Sequence, residues 1–216
     1  MKSTCFLSWA HLLYHLILSR VIAEAKRRFD LYVTGKDKSA IDPSLRSAIF
    51  GIVIRHGGAA EYAAVKKEWQ ATTSVDGREI ALRSMGRIQT ADLLSDLLTF
   101  MFTEVATQDV HTGAMALASN PKTRFGLWKY IQENFEPLKE RLGANMVVFD
   151  RFLRLSLPKF NDRETEKEIA KFFEGKDNRG YDRTLGIVSD TILGRVTYKD
   201  RDGQVILEWL KTHGYA

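Results

Sequence analysis

An all-α chain of stacked antiparallel helix pairs, an α-solenoid of the HEAT or armadillo kind, is the fold this sequence predicts. Three observations carry that expectation. Apolar residues recur at helical rather than strand spacing through most of the chain. Cap-like residues stand before proline at Asp42-Pro43, Asn120-Pro121 and Glu136-Pro137, the arrangement favoured in the first turn of a helix. Pro43, Asp76 and Asp109 lie 33 residues apart, a period that suits stacked helix pairs.

The elements follow in order. Lys2, the apolar run Phe6 to Leu18 (FLSWAHLLYHLIL) and then Ala23-x-Ala25 imitate a signal peptide. The run is shorter than the roughly 20 residues a membrane span needs, so no stable membrane insertion is expected. Two histidines and a serine weaken it as a secretory core, and cleavage after Ala25 would cut VIAEAKRRF, whose charge pattern is that of a folded helix. A secretory route follows only if residues 1–25 act as a signal. After Gly57-Gly58 the spacing of Tyr62, Val65 and Trp69 marks one amphipathic helix. Leu93, Leu94, Leu97, Leu98, Met101, Phe102 and Val105 mark another with a broad buried face, and Asp76 and Asp109 mark further starts. Phe125, Trp128, Ile131 and Phe135 form the apolar face of a helix after Pro121. The stretch Asn161 to Lys167 (NDRETEK) reads as a capped start, and Val205, Ile206, Trp209 and Leu210 make a last amphipathic helix that must pack against neighbours. Short connections force adjacent helices to lie antiparallel. Trp128, Phe172 and Phe173 read as core.

Composition narrows the function. With 216 residues and 44% apolar content, the chain can bury a core as one domain. The net charge of +5 is spread along the chain, and the densest run, Lys26-Arg27-Arg28, is short beside a nucleic-acid footprint. No stripe of basic and aromatic residues supports nucleic-acid binding. The one cysteine, Cys5, excludes an intrachain disulfide and a cysteine-based zinc site, and makes a reducing, cytoplasmic compartment the simpler expectation. There is no G-x-S-x-G elbow, no phosphate-binding glycine loop and no Cys–His pair. Asp177, Arg179, Tyr181, Asp182 and Arg183 lie among Gly175, Gly180 and Gly186, which read as caps and turns. These polar residues are expected to form a turn network that fixes the following helix.

Five stretches together carry a family resemblance: ALRSMGR (Ala81 to Arg87), TQDVHTG (Thr107 to Gly113), GANMVVFDRFLRLSL (Gly143 to Leu157), AKFFEGKDNRGYDRTL (Ala170 to Leu185) and EWLKTHGY (Glu208 to Tyr215). In this order they resemble the C-terminal domain of zinc aminopeptidases of the puromycin-sensitive, endoplasmic-reticulum and fungal cytosolic kind. The resemblance covers residues 21–216 and leaves 1–20 as an unmatched apolar segment. Those relatives hold zinc with a helical H-E-x-x-H and a downstream glutamate, and hold the substrate's amino terminus with a G-x-M-E-N strand. These 216 residues contain neither. The only histidines at that spacing, His11 and His15, have no adjacent base, and His56, His111 and His213 form no set. No catalytic or metal residue is therefore assigned, and the chain alone is expected to be inactive, with zinc belonging to the parent family's catalytic domain.

By resemblance, this domain closes like a bowl over the catalytic domain, encloses a cavity that admits peptides, and touches the distal end of the substrate. A peptide's free carboxylate calls for a positive partner, and arginine can meet it bidentately. Arg87 is the best candidate, at a position where relatives place a helix end facing the cavity; Arg83 lies one turn earlier, and Arg151 and Arg154 lie on a later helix. The expected partners are peptide substrates and an aminopeptidase catalytic domain. The alternative is a stand-alone α-solenoid scaffold that binds a protein or peptide on its concave face. The resemblance also implies further helices upstream of VIAEAKRRF. Phe6 to Leu18 is then expected either to cover an exposed apolar end or to leave it prone to association.

Overall fold

The computed structural model describes residues 3–215, and every regular element among them is helical. The all-α class is as expected. The helices gather into two compact units, Met1–Ile88 and Gln89–Ala216, and each is described by itself.

The first unit begins with α1 (Ser3–Val33), a continuous helix that contains VIAEAKRRF. Two short 3-10 turns follow, Lys38–Ala40 and Pro43–Leu45, each opened by an aspartate whose side chain accepts a backbone N–H: Asp37 from Ser39 and Asp42 from Ser44. Next come α2 (Arg46–His56), α3 (Ala59–Ala71) and α4 (Val75–Met85). Helix α2 packs on α1 and α4, and α3 packs on α4. The core is Phe29, Phe50, Val53, Val65, Leu82 and Met85, with the Phe29 and Phe50 rings edge-on at 5.3 Å. Full burial of each such side chain stabilises by roughly 1.5–3 kcal/mol. Tyr32 is buried by its ring but donates its hydroxyl to Glu68 at 2.8 Å, as a buried phenol requires. Lys26-Arg27-Arg28 lies within α1, where Arg27 and Arg28 both bond Glu24 and Lys26 faces Glu61. Glu24 is pulled down to about 2, chiefly by the Arg27 hydrogen bond and then by Arg28.

The second unit runs through α5 (Ala91–Thr103), α6 (Val110–Ser119), α7 (Arg124–Glu133), α8 (Phe135–Gly143), α9 (Met146–Ser156), α10 (Arg163–Phe173) and α11 (Asp182–Thr212). Helix α9 is central, touching α6, α8 and α11. Its face Phe149, Phe152 and Leu153 is fully buried. The small buried residues Gly113, Ala114 and Ala118 let α6 approach it closely. NDRETEK is a capped start as expected, since Asp162 accepts from the Thr165 N–H at 2.7 Å.

Several boundaries differ from the expectation. Ser74, not Asp76, caps α4. Helix α8 starts at Phe135, ahead of Glu136-Pro137, because proline fits inside a first turn whose N–H groups lack helical partners. Phe135 thus belongs to α8, and Phe125 at the start of α7 is 58% exposed. Gly186 lies inside α11 rather than in a turn. Val205, Ile206 and Trp209 are exposed on the distal part of α11, where packed neighbours were expected. Among the described residues no helix is long and apolar enough to cross a membrane. The expectations for Phe6 to Leu18 and for His11 and His15 concern side chains outside the described residues.

Candidate functional site

Arg87 and Arg83 stand at the end of α4. Ser74 Oγ accepts the Gly77 N–H at 3.2 Å and starts the helix. Gly77 is required by crowding, since a Cβ there would lie 2.8 Å from Thr72 Oγ1. Ala81, Leu82, Ser84 and Met85 are buried, which turns Arg83 outward. The helix closes through Gly86, and the Arg87 N–H donates to Ser84 O at 3.0 Å. Arg87 is exposed, and its guanidinium runs across Gly51 of α2: a Cβ at position 51 would lie 3.0 Å from Cζ, Nε and Nη1. Gly51 is thus the floor on which the Arg87 side chain rests. Arg83 is exposed and paired with Glu79, one turn earlier.

Arg151 and Arg154 belong to the second unit. They are exposed on α9, three residues apart, because Phe149, Phe152, Leu153 and Ser156 take the inner face. Three other arginines were not anticipated. Arg141 Nη2 donates to Val105 O at 2.8 Å beyond the end of α5, and Arg124 Nε donates to Ala118 O at 2.7 Å at the end of α6. Arg195 donates to Pro158 O beyond α9. Arg124 satisfies one of the last carbonyls of α6, which lack intrahelical partners, and Arg141 and Arg195 hold carbonyls two residues past the ends of α5 and α9, where the helix dipole favours a cation. Desolvation, with the Arg195 charge, pushes the Arg124 guanidinium down from its ordinary range.

The turn between α10 and α11 forms a polar network from three of the five residues expected there, Asp177, Arg179 and Tyr181. The Asp177 carboxylate accepts from Arg179 Nε at 2.8 Å, Nη2 at 2.6 Å and the Arg179 N–H at 3.3 Å. Those bonds, the guanidinium first, hold it well below the usual carboxylate range. The Asp177 carbonyl accepts from Tyr181 Oη and Lys139 Nζ, each at 2.9 Å, and Asn178 Nδ2 donates to Phe173 O at 3.0 Å. Tyr181 is 1% exposed and edge-on to Phe149 at 5.1 Å. Burial, then the Asp177 charge, raises its phenol above the ordinary value. Gly175 and Gly180 take left-handed φ of 75° and 91°. Asp182 and Arg183 are exposed.

A hollow lies among the described residues of each unit. Between α10 and α11 lies a cavity of about 640 Å³ walled by Ile169, Phe173, Leu185, Val188 and Ile192. Its polar lining is already paired where Ser189 Oγ donates to Glu166 at 2.6 Å, while Asn178 Oδ1 is buried with no hydrogen-bond partner. In the first unit a largely apolar groove of about 790 Å³ runs between α1 and α2, with Arg20, Arg27 and Arg28 at its rim. Among the described residues no three His, Cys, Asp or Glu side chains come together in a way that could hold a metal ion. His111 Nδ1 lies 2.6 Å from Gln108 O, and His213 stacks on Trp209 at 4.2 Å.

Comparison with known proteins returns one family and a consistent set of relatives. A family model described as the ERAP1-like C-terminal domain matches residues 5–194. Aminopeptidase 2 of Candida albicans is 29% identical over 197 residues, covering 90% of this chain and 21% of the relative. Aminopeptidase 2, mitochondrial, of Saccharomyces cerevisiae is 30% identical over 192 residues, covering 88% and 20%. Aminopeptidase N of Bos taurus is 22% identical over 194 residues, again covering 88% and 20%. The chain spans about a fifth of the length of the curated relatives it matches.

Proposed function

The chain belongs to the ERAP1-like C-terminal domain family, and from that premise we propose that it serves as the non-catalytic C-terminal domain of a zinc metallo-aminopeptidase. In this reading it helps to enclose the peptide cavity and contacts the distal end of peptide substrates, while a separate catalytic domain removes the N-terminal residue with zinc-bound water. The observation that carries it is the extent of the match: nearly the whole chain aligns with about a fifth of each aminopeptidase, and these 216 residues contain no H-E-x-x-H. Packing of alternate helices within each unit, α2 on α4 and α9 on α11, supports an α-solenoid arrangement of the helix pairs. Cytoplasmic residence is part of the same proposal.

Arg87 is the residue to which we assign the substrate's free carboxylate. Its exposed guanidinium lies over Gly51 at the end of α4, with Arg83, which bonds Glu79, one turn earlier. Arg151 and Arg154 are second choices.

Two measurements test the reading. The native polypeptide is sized in source cells with an antibody against EGKDNRGYDR, and its upstream peptides are mapped. A band far larger than 24.6 kDa with H-E-x-x-H peptides supports the domain reading, and a band at 24.6 kDa beginning near Met1 replaces it with the solenoid scaffold. In the longer protein, Arg87→Gln is expected to raise KM for peptides with a free C-terminal carboxylate about tenfold, the loss of one charge-assisted contact. C-terminally amidated peptides are expected to be unaffected. An equal change for both peptide types would remove Arg87 from the proposal.

A further inference from the structure

Two half-buried arginines of the second unit converge on the loop after α9, and among the described residues neither meets a carboxylate. Arg124, the first residue of α7, donates from Nε to Ala118 O at 2.7 Å, and its Cζ lies 5.9 Å from the centroid of the Phe160 ring. Arg195, on α11, donates from Nη1 to Pro158 O, two residues before Phe160. Each spends one nitrogen in this way. The others, Nη1 and Nη2 of Arg124 and Nε and Nη2 of Arg195, make no hydrogen bond and reach the surface, since the only buried unpartnered polar side-chain atoms among the described residues are Arg46 Nε and Asn178 Oδ1. No Asp or Glu stands three or four residues from either arginine, so helix spacing supplies no ion pair. Other arginines of the unit do find one: Arg163 meets Asp200, and Arg179 holds Asp177 by Nε and Nη2, the same edge that Arg195 leaves open.

Burial, and then the Arg195 charge, lower the Arg124 guanidinium from its ordinary range, so the two cations feel each other. What offsets them is partial. Two helix C-terminal ends bring about half a negative charge each against two full positive ones, and Lys159, between Pro158 and Phe160 in the chain, adds a third. About two positive charges are left over. We propose that Arg124 and Arg195 form a binding site for the phosphate group of a small soluble phosphate ester. Such a group carries about −1.5 to −2 charges at pH 7 and three acceptor oxygens, so it can accept from guanidiniums on two different helices at once. A carboxylate offers two oxygens in one plane and suits a single fork. Both guanidiniums are half-buried, which suits a small group that enters between them better than the plane of a membrane. The site lies wholly within the second unit, whereas Arg87 belongs to the first, and it does not depend on the aminopeptidase reading.

Titration of the full chain with inorganic phosphate at constant ionic strength, followed by phosphorus NMR, tests it. The expected result is saturable binding with a Kd of about 1 mM, the strength of two charge-assisted contacts. Arg124→Gln and Arg195→Gln should each weaken it about tenfold, and Arg195→Lys should recover only part, because an ammonium lacks the fork. Lys159→Gln leaves both carbonyl bonds in place and should weaken binding about threefold, which keeps the test open if either arginine variant fails to fold. Arg151→Gln removes an exposed charge of α9 in the same unit and should leave the Kd within about twofold. Phenyl phosphate should bind as inorganic phosphate does, and acetate about tenfold more weakly. An absence of saturation up to about 50 mM phosphate overturns the proposal. So do equal losses in Arg151→Gln and Arg195→Gln, which would make the attraction diffuse, or acetate that binds as well as phosphate. Binding confined to vesicles of phosphatidic acid also overturns it and assigns the arginines to a membrane surface.

Discussion

Replacing Gly180 by alanine combines two effects that the structure allows to be separated. The first is conformational: Gly180 has φ 91°, and an L-residue in the left-handed region costs about 1–2 kcal/mol. The second is steric: the new Cβ would lie 2.5 Å from Met146 Cγ, about 1 Å inside ordinary carbon contact, and overpacking of this kind costs about 1–3 kcal/mol. Met146 is unbranched and can turn aside, which favours the lower end. Together Gly180→Ala should destabilise the second unit by about 2–4 kcal/mol. Gly175 supplies the control, since its φ is 75° and nothing lies within 4 Å of its would-be Cβ. Gly175→Ala should therefore show only the conformational part, about 1–2 kcal/mol. The assay is urea unfolding followed by circular dichroism and tryptophan fluorescence, on both variants, on Met146→Ala, and on the Gly180→Ala/Met146→Ala double variant. In the Met146→Ala background the effect of Gly180→Ala should fall to that of Gly175→Ala, a non-additivity of about 1–2 kcal/mol between touching groups. Equal losses at the two glycines, or strict additivity with Met146→Ala, would refute the steric half of the argument.

Asp162→Ala removes the α10 cap and should lower stability by about 1 kcal/mol in the same assay. Arg141→Met leaves Val105 O without its charged donor and should lower stability by about 1.5–3 kcal/mol. Arg141→Lys should recover only part of that, because an ammonium lacks the fork that also reaches towards Met101 O. Asp177 is depressed by Arg179 and Glu24 by Arg27 and then Arg28, so both carboxylates stabilise the folded chain fully above about pH 4. That contribution is lost as pH falls through their lower folded values. The urea midpoint should therefore drop on acidification below about pH 4, and Arg179→Gln should flatten the drop in the second unit.

What the sequence made legible was whatever depends on near neighbours. Asp162 caps Thr165 three residues on, and Asp177 meets Arg179 two residues on, so residue type and spacing suffice to foresee both. The arginines at helix ends were illegible for the opposite reason. Arg141 reaches Val105 across 36 positions and Arg195 reaches Pro158 across 37, and the acceptor in each case is a backbone carbonyl, which no residue type advertises. The pattern that exposed Arg87 for consideration could not show Gly51 beneath it, since that contact joins α2 to α4.

Helical periodicity has the same limit. It identifies the face of a helix that would lose least by leaving water, but not what covers that face. Trp128 and Ile131 on α7 follow the expected stripe and are buried, while Phe125, on the same stripe one turn earlier, is 58% exposed and meets only the Phe160 ring, at 5.1 Å, among the aromatic contacts described. On α11 the limit is reached in full. Thr184, Val188, Ile192 and Val196 are buried along one stripe, and Ile206 and Leu210 continue it at the same helical phase. The stripe outlasts the unit that covers it. A helix extended into water gains nothing from apolar residues at those positions and would be more stable and more soluble with polar ones. On distal α11 the periodicity therefore marks an apolar face that stays exposed, and it marks that face without naming anything that would cover it.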